Sequence, residues 1–368
     1  MENNTRRKFL QLMGVGAASV GLNACGEEQS NNALKPSSAQ QTFEWKMVTT
    51  WPKNFPGLGT GAQYLADIIA EMSNGRLKIK VYGAGEIVPA FESFDAVQSG
   101  TAQMGHGSAY YWKGKNPAFQ FFSTVPFGMN ANEMNAWLYQ GDGMKLWRRA
   151  YEPFGLIPMA AGNSMVQMGG WFNKEINSLD DLVGLKMRIP GLGGEVLRLA
   201  GGTPVNVPGG DLFVSLQKGV IDATEWVGPY NDLAFGLHKA AKYYYSPGWH
   251  EPGTTMECFV NAQAYNQLPA DLKSIVEYAS RVANQNMMQE FTTRNHDALE
   301  MLINEHEVEM REFPREVLDK FRQLSQQVVA EVVGDDPFAR EIYDSYQKFL
   351  SKSKAWFDVS ERAYLNIR

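Results

Sequence analysis

Residues 62–82 read AQYLADIIAEMSNGRLKIKVY. Apolar residues at positions 65, 68, 69 and 72 recur with the helical period. Asn74-Gly75 then ends the helix, because both residue types tolerate the left-handed backbone of a C-terminal cap. Leu77 to Tyr82 switches to strict alternation, the period of a half-buried strand. A helix handing over to a strand across a short loop is the building unit of an α/β protein.

The same rhythm extends outward. Glu44 to Thr50 reads as a strand, Trp51 to Gly61 as a Pro/Gly loop, Ser93 to Ser99 as a short helix and Ala102 to His106 as a short strand. It resumes at Met165 to Asn173, a strand-like run. Ser178 to Gly184 follows as a short helix with Ser178 as N-cap and Asp181 three residues on. Strands are expected at Leu185 to Pro190, Ile221 to Trp226 and Met256 to Asn261, and helices at 194–200 and 211–218. Lys242 to Thr254 is extended and broken by prolines. Helices covering a largely parallel sheet are therefore expected. After Pro269, residues 270–300 and 315–364 are nearly all helical in pattern, with Phe338, Ile342, Phe349 and Trp356-Phe357 near one stripe. The fold class is α/β with two lobes, chain crossing between them, and a helical C-terminal segment.

A chain of 368 residues is long enough for about two domains. A net charge of −6 without long basic runs argues against nucleic acid as a partner. Two cysteines, Cys25 and Cys258, and no CxxC argue against a disulfide framework or a thiolate zinc site.

The N-terminus carries addresses. Arg6, Arg7 and Lys8 precede a moderately apolar stretch, Phe9 to Leu22, too short and too weak to stay in a membrane, so it fits a signal peptide. Thr5-Arg6-Arg7-Lys8-Phe9-Leu10-Gln11 resembles the twin-arginine export motif. Leu22-Asn23-Ala24-Cys25 resembles a lipobox, with Cys25 as the lipidated first residue. The other reading is a cleavage site ending at Ala24 with a spare cysteine after it. Gly26 to Gln41 is polar and reads as a flexible linker. Cys258 then has no partner and reads as a buried small hydrophobe.

No GxSxG, HExxH, P-loop or histidine cluster with metal spacing is present. Gly191 to Gly194 sits between strand and helix but lacks the GxGxxG spacing. Binding readings fare better. Arg188 ends an otherwise apolar strand, where an α/β fold opens onto its ligand crevice, and its planar fork suits a carboxylate. Gln167 lies in an apolar run, so its amide needs partners. Glu225-Trp226 sits at another strand end before Gly228-Pro229, and Glu251 follows Trp249-His250 in a Pro-bracketed loop. The bland alternative is a surface arginine and surface acids. If Arg188, Glu225 and Glu251 share one cleft with a monocarboxylate, the group is net negative. Burying uncompensated charge is costly, so a hard cation with oxygen ligands is expected, Na+ or Ca2+.

Four segments, GAGEIVPAFESFDAVQSGTAQMGHGS (83–108), LDDLVGLKMRIP (179–190), GTPVNVPGGD (202–211) and VSLQKGVIDATEWVGPYND (214–232), resemble the extracytoplasmic solute-binding proteins of tripartite ATP-independent periplasmic (TRAP) transporters. The likeness spans roughly residues 44 to 360. The Glu-Trp pair, Gln167 and the HEPGT segment resemble that family's 2-oxo-acid and lactate branch. The resemblance implies a two-lobed periplasmic-binding-protein-like fold with an interlobe cleft and a long C-terminal helix. It implies that Arg188 holds a carboxylate, while Gln167, Glu225, Trp226 through its backbone, and Glu251 surround substrate and cation. Tyr110 or Tyr111 is the contact from the first lobe, and Asn231 is a weaker candidate. It also implies a homodimer, a membrane permease as partner and no catalysis, while the lipobox reading at Cys25 limits membrane contact to an N-terminal lipid anchor. The twin-arginine and lipobox signals depart from the plain secretory signal of many members.

The expected organisation is a signal peptide at 1–24 and a lipid-anchored linker at 25–42. Lobe I takes 43–163 and 253–283, lobe II takes 164–252 and 284–335, and a C-terminal helix takes 336–368. The expected place is the periplasm or the outer face of the cytoplasmic membrane. The rival readings are an exported, cofactor-containing oxidoreductase or lyase acting on 2-oxo acids, and a ligand-binding sensor module for a membrane signalling protein.

Overall fold

The computed structural model describes residues 41–368; the twin-arginine stretch, Cys25 and most of the expected linker lie outside them. In chain order the strands are β1 Phe43–Thr49, β2 Leu77–Tyr82, β3 Met104–Gly107, β4 Leu156–Asn163, β5 Gly170–Phe172, β6 Lys186–Arg188, β7 Thr203–Val205, β8 Ala223–Thr224, β9 Tyr243–Ser246, β10 Thr255–Asn261 and β11 Glu309–Glu312. They form two sheets, ordered β2-β1-β3-β10-β4 and β11-β9-β5-β8-β6-β7. Two sheets joined by crossing segments make the two-lobed α/β fold the sequence implies.

The opening stretch behaves as read. The helix Gly59–Met72 buries Leu65, Ala66 and Ile69, and β2 alternates with Leu77, Ile79 and Val81 inward. Asn74 and Gly75 adopt positive φ, and Gly75 N donates to Ala70 O at 2.8 Å, closing the helix end. Ser178 and Asp181 form the reciprocal cap on the short turn Leu179–Leu182.

Several expectations are corrected. The sheets are mixed rather than largely parallel. β1 runs parallel to β2 and β3, but β10 is antiparallel to β3 and β4, and β5 is antiparallel to β8 and β9. β5 and β10 are the first strands the chain enters after each crossing, and they run against the strands they join. The strand-like run at 165–173 shrinks to β5. Met165 has φ 62°, and the amides of Gln167 and Met168 donate to Glu251 O and Val227 O instead of a ladder. Likewise 221–226 shrinks to β8.

The C-terminal region is Arg315–Val333, Pro337–Val359 and Glu361–Leu365, broken at Gly334 (φ 48°) and at Ser360. Its stripe stops short. Ala339, Ile342 and Tyr346 are buried, whereas Trp356 is 65% exposed. Cys258 is fully buried with no disulfide partner among the described residues.

The crossing segments lie side by side. Ser164 N donates to Thr254 O at 3.0 Å and Gln167 N to Glu251 O at 3.1 Å. Gly248 is required there, since a Cβ would stand 2.1 Å from Gln167 O. The 35-residue helix Ala270–Asn304 packs on β4 and also on the helix Pro229–Phe235 that follows β8, so it touches both halves.

Candidate functional site

β6 ends at Arg188, and its guanidinium is the centre of a buried polar cluster at the crossing. Nε donates to Val207 O at 3.2 Å, Nη2 to the Tyr111 hydroxyl at 3.4 Å, and Nη1 to the carboxylate of Glu225. The Trp226 ring lies 5.0 Å from the guanidinium carbon, within cation–π range. β8 delivers Glu225 alongside, and Glu225 N continues the β6 pairing by donating to Arg188 O at 3.2 Å. Burial opposes the guanidinium charge, but the neighbouring Glu225 overrides it, and the Arg188 pKa rises above its ordinary value.

The Pro-bracketed loop brings the second acid. Glu251 is 2% exposed and accepts from Thr254 Oγ1 at 2.6 Å. Burial, and then the negative charge of Glu225, push its pKa up to about 7. Glu225, His250 and Glu251 each present one ligand atom within 4.8 Å of the others. His250 Nε2 stands 3.4 Å from Glu225 Oε2, too far for a good hydrogen bond. Glu225 Oε2, both His250 ring nitrogens and Gln167 Oε1 therefore have no hydrogen-bond partner among the described residues.

Such orphaned acceptors are costly when buried, and they are what a bound cation satisfies. An oxygen set of two carboxylates and one amide fits a hard cation, and His250 adds a nitrogen at its side. Gln167 Nε2 is fixed by Ser164 Oγ at 2.8 Å, which turns the amide so that its oxygen stays free.

The turn Ala109–Trp112 carries both tyrosines, and Tyr111 is the one whose hydroxyl meets Arg188. Tyr110 packs edge-on against Tyr111 and beside Gly191. Both line a cavity of about 140 Å³ with Ile189, Pro190 and Asn206. Lys113, on the same turn, pairs with Glu195 at 3.2 Å. Asn231 is fully buried, with Nδ2 donating to Pro56 O at 2.9 Å and Oδ1 left without a partner among the described residues.

Arg188, Glu225, Trp226, Glu251, Gln167 and Tyr111 thus converge although they come from separate segments. Sequence reading kept His250 in view only through its neighbour Glu251. It missed Trp51, which lies tilted against Tyr111 and edge-on to Trp226 and donates through Nε1 to His106 Nδ1 at 2.8 Å. A tryptophan at the start of a Pro/Gly loop was the available signal.

Two α/β lobes closing on a buried arginine and acid cluster define a solute-binding protein. The family model described as DctP, bacterial extracellular solute-binding protein, family 7, matches residues 47–335, and the chain belongs to that family. It is similar to the monocarboxylate 2-oxoacid-binding periplasmic protein of Nostoc sp. (strain PCC 7120), with 40% identity over 362 residues and 98% of each chain covered. It is also similar to two solved TRAP periplasmic solute-binding proteins. That of Pseudoalteromonas atlantica T6c, with bound sodium and pyruvate, has 42% identity and a TM-score of 0.87, covering 89% of this chain and all of that one. That of Colwellia psychrerythraea, with bound calcium and pyruvate, has 44% identity and a TM-score of 0.86, covering 89% of this chain and 99% of that one. Family and relatives place the chain among extracytoplasmic transport proteins, not enzymes.

Proposed function

We propose that this protein captures a small 2-oxo or 2-hydroxy monocarboxylate, of the pyruvate, 2-oxobutyrate or lactate type, together with Na+ or Ca2+, and delivers it to a TRAP membrane permease. The observation that carries the reading is the buried Arg188–Glu225 pair beside Glu251, with acceptors left over at Glu225 Oε2 and Gln167 Oε1. Arg188 holds the ligand carboxylate with Tyr111, and Tyr110 lines the same pocket. Glu225, Glu251, Gln167 and the Trp226 main chain hold the cation, which bridges protein and acid. Asn231 is the weaker candidate. One arginine, two acids and one ligand carboxylate carry a net charge of −2. Ca2+ neutralises it and Na+ halves it, so the acid and the cation bind together.

Calorimetry of pyruvate binding with and without Ca2+ or Na+ tests this. Micromolar or tighter binding that disappears with both cations withheld supports it. Binding of equal strength without any cation overturns the cation's role, and no binding of any 2-oxo or 2-hydroxy acid overturns the ligand class.

The organisation follows from this reading. The sheet containing β1 is the body of lobe I, the sheet containing β6 that of lobe II, and the crossings near residues 163 and 253 hinge their closure. The twin-arginine motif and Cys25 make it an exported, lipid-anchored receptor. Among the described residues no helix is long and apolar enough to cross a membrane. The exposed Trp356, Val359, Tyr364 and Leu365 at the C-terminal end support a homodimer through this helix.

A further inference from the structure

The loop after β1 reads Trp51-Pro52-Lys53-Asn54-Phe55-Pro56-Gly57. Two prolines, and positive φ at Asn54 and Gly57, hold it in one shape. Phe55 N donates to Pro52 O at 3.1 Å, and Phe55 O accepts from Gly59 N at 2.8 Å and Thr60 N at 3.0 Å. The loop thereby sets the start of the helix that packs on the first sheet, and it presents the Phe55 ring outward from that sheet.

What the ring meets follows β8, a strand of the other sheet. Phe55 stacks on Phe235, with centroids 4.1 Å apart and planes at 26°. It also stands edge-on to Trp226 at 6.2 Å, and Phe235 meets Trp226 at 5.2 Å. Beside this group Asn231 Nδ2 donates to Pro56 O. Trp226, Asn231 and Phe235 all follow β8. Phe55 is 7% exposed, so the contact is a closed one. None of these ring contacts involves the carboxylate-binding groups. They reach the site through Trp226, whose ring faces the Arg188 guanidinium and whose chain neighbour is Glu225.

We propose that Phe55 is a positioning residue. From the first lobe it clasps Phe235 and Trp226 of the second, holds the Trp226 indole over Arg188, and so keeps the cleft shut and slows ligand release. Opening the lobes separates these rings and exposes their faces to water, a penalty independent of which acid is bound. The inference rests on the proposed binding of an acid and a cation in this cleft.

The test uses the mature chain, pyruvate with Ca2+, and stopped-flow tryptophan fluorescence. Phe55→Ala is expected to raise koff about tenfold, the size of one aromatic contact, with kon within about twofold. Phe55→Tyr restores the slow release. Phe235 is partly exposed, so Phe235→Ala gives a second variant if Phe55→Ala folds poorly, and Phe55→Ala/Phe235→Ala releases no faster than Phe55→Ala alone. Unchanged koff in a folded variant, or additive effects in the double variant, overturns the clasp. A ligand-free readout separates this from failure of the binding reading. Spin labels at Lys78→Cys and Lys174→Cys, with no pyruvate present, report a longer interlobe distance when Phe55 is replaced by Ala. An unchanged distance distribution sinks the clasp whether or not pyruvate is the ligand.

Discussion

The guanidinium of Arg188 and the carboxylate of Glu225 are in direct contact, and each side chain is 1% exposed. A buried ion pair of this kind is weak evidence for stability, because desolvation offsets most of its Coulomb attraction. Its chemistry points elsewhere. Glu225 uses one oxygen on Arg188 and leaves the other without a hydrogen bond, facing His250 and Glu251. In the function we propose, the pair is half of a site that a ligand carboxylate and a cation complete.

Removing Arg188 leaves Glu225 buried without its counter-ion and takes the carboxylate's anchor away. Arg188→Ala should lose at least ~2 kcal/mol of acid affinity, about thirtyfold, in calorimetry at saturating Ca2+. Arg188→Lys recovers part of that loss, since an ammonium supplies charge without the planar fork. Wild-type affinity in Arg188→Ala would remove it from the site.

The two acids answer to the cation. Glu225→Gln and Glu251→Gln each remove one negative charge while keeping an oxygen. Each should weaken Ca2+ binding, read by titration with a Ca2+ electrode, by about tenfold or more, ~1.4 kcal/mol. A Glu251→Gln protein that binds Ca2+ as tightly as the parent would place the ion elsewhere.

Glu257 makes a stability prediction away from the site. It is fully buried on β10 and accepts from Trp112 Nε1 at 2.6 Å and the Tyr151 hydroxyl at 2.8 Å. Burial outweighs these hydrogen bonds and raises its pKa from 4.5 to about 8. The folded state therefore holds a proton that the unfolded state has released between those values, so stability falls as pH rises through that window. His106 acts oppositely but lower, since burial takes its pKa from 6.5 to about 4. Between pH 6.5 and 8 the parent should lose stability at up to ~1.4 kcal/mol per pH unit from Glu257 alone. Asp232, raised by burial to about 7, adds to the loss at the lower end. Urea melts of Glu257→Gln should show a shallower decline over that range. A slope equal to the parent's would mean that Glu257 is ionised in the fold.

The C-terminal helix predicts an oligomeric state. It is docked as far as Ser353, with Trp137 Nε1 donating to Ser345 Oγ at 3.1 Å and Ser353 Oγ to Glu133 at 2.8 Å. Trp356 and Val359 beyond are 65% and 71% exposed. Light scattering should give a dimer for the parent and a monomer for Trp356→Glu. A monomeric parent would end this reading.

Much of the fold was legible because its signals are local. The alternation of β2, the Asn74-Gly75 stop and the Ser178/Asp181 cap each depend on a few neighbouring residues. Short strands were not. β8 is two residues long and exists because Arg188 and Met187 pair with it, 36 residues away in sequence. Met165 takes a left-handed conformation that its own side chain disfavours, because the crossing segments impose it, and so the run around it could not be read as anything but strand.

By itself the sequence determined the longer elements it marked by period and cap, the α/β class and the residue types capable of acid and cation binding. Those follow from periodicity, capping and charge, all properties of short stretches. It also named Arg188, Glu225, Glu251 and Gln167 as candidates, from their residue types at strand ends and in an apolar run and a Pro-bracketed loop, and the family likeness gave them roles. Tertiary structure alone decided that these side chains meet. It chose Tyr111 to face Arg188, brought His250 beside both acids, and set Phe55 against Trp226. Those distances depend on strand register and on how the two sheets close. They are sums of many weak contacts spread along the whole chain, and no short stretch of sequence encodes them.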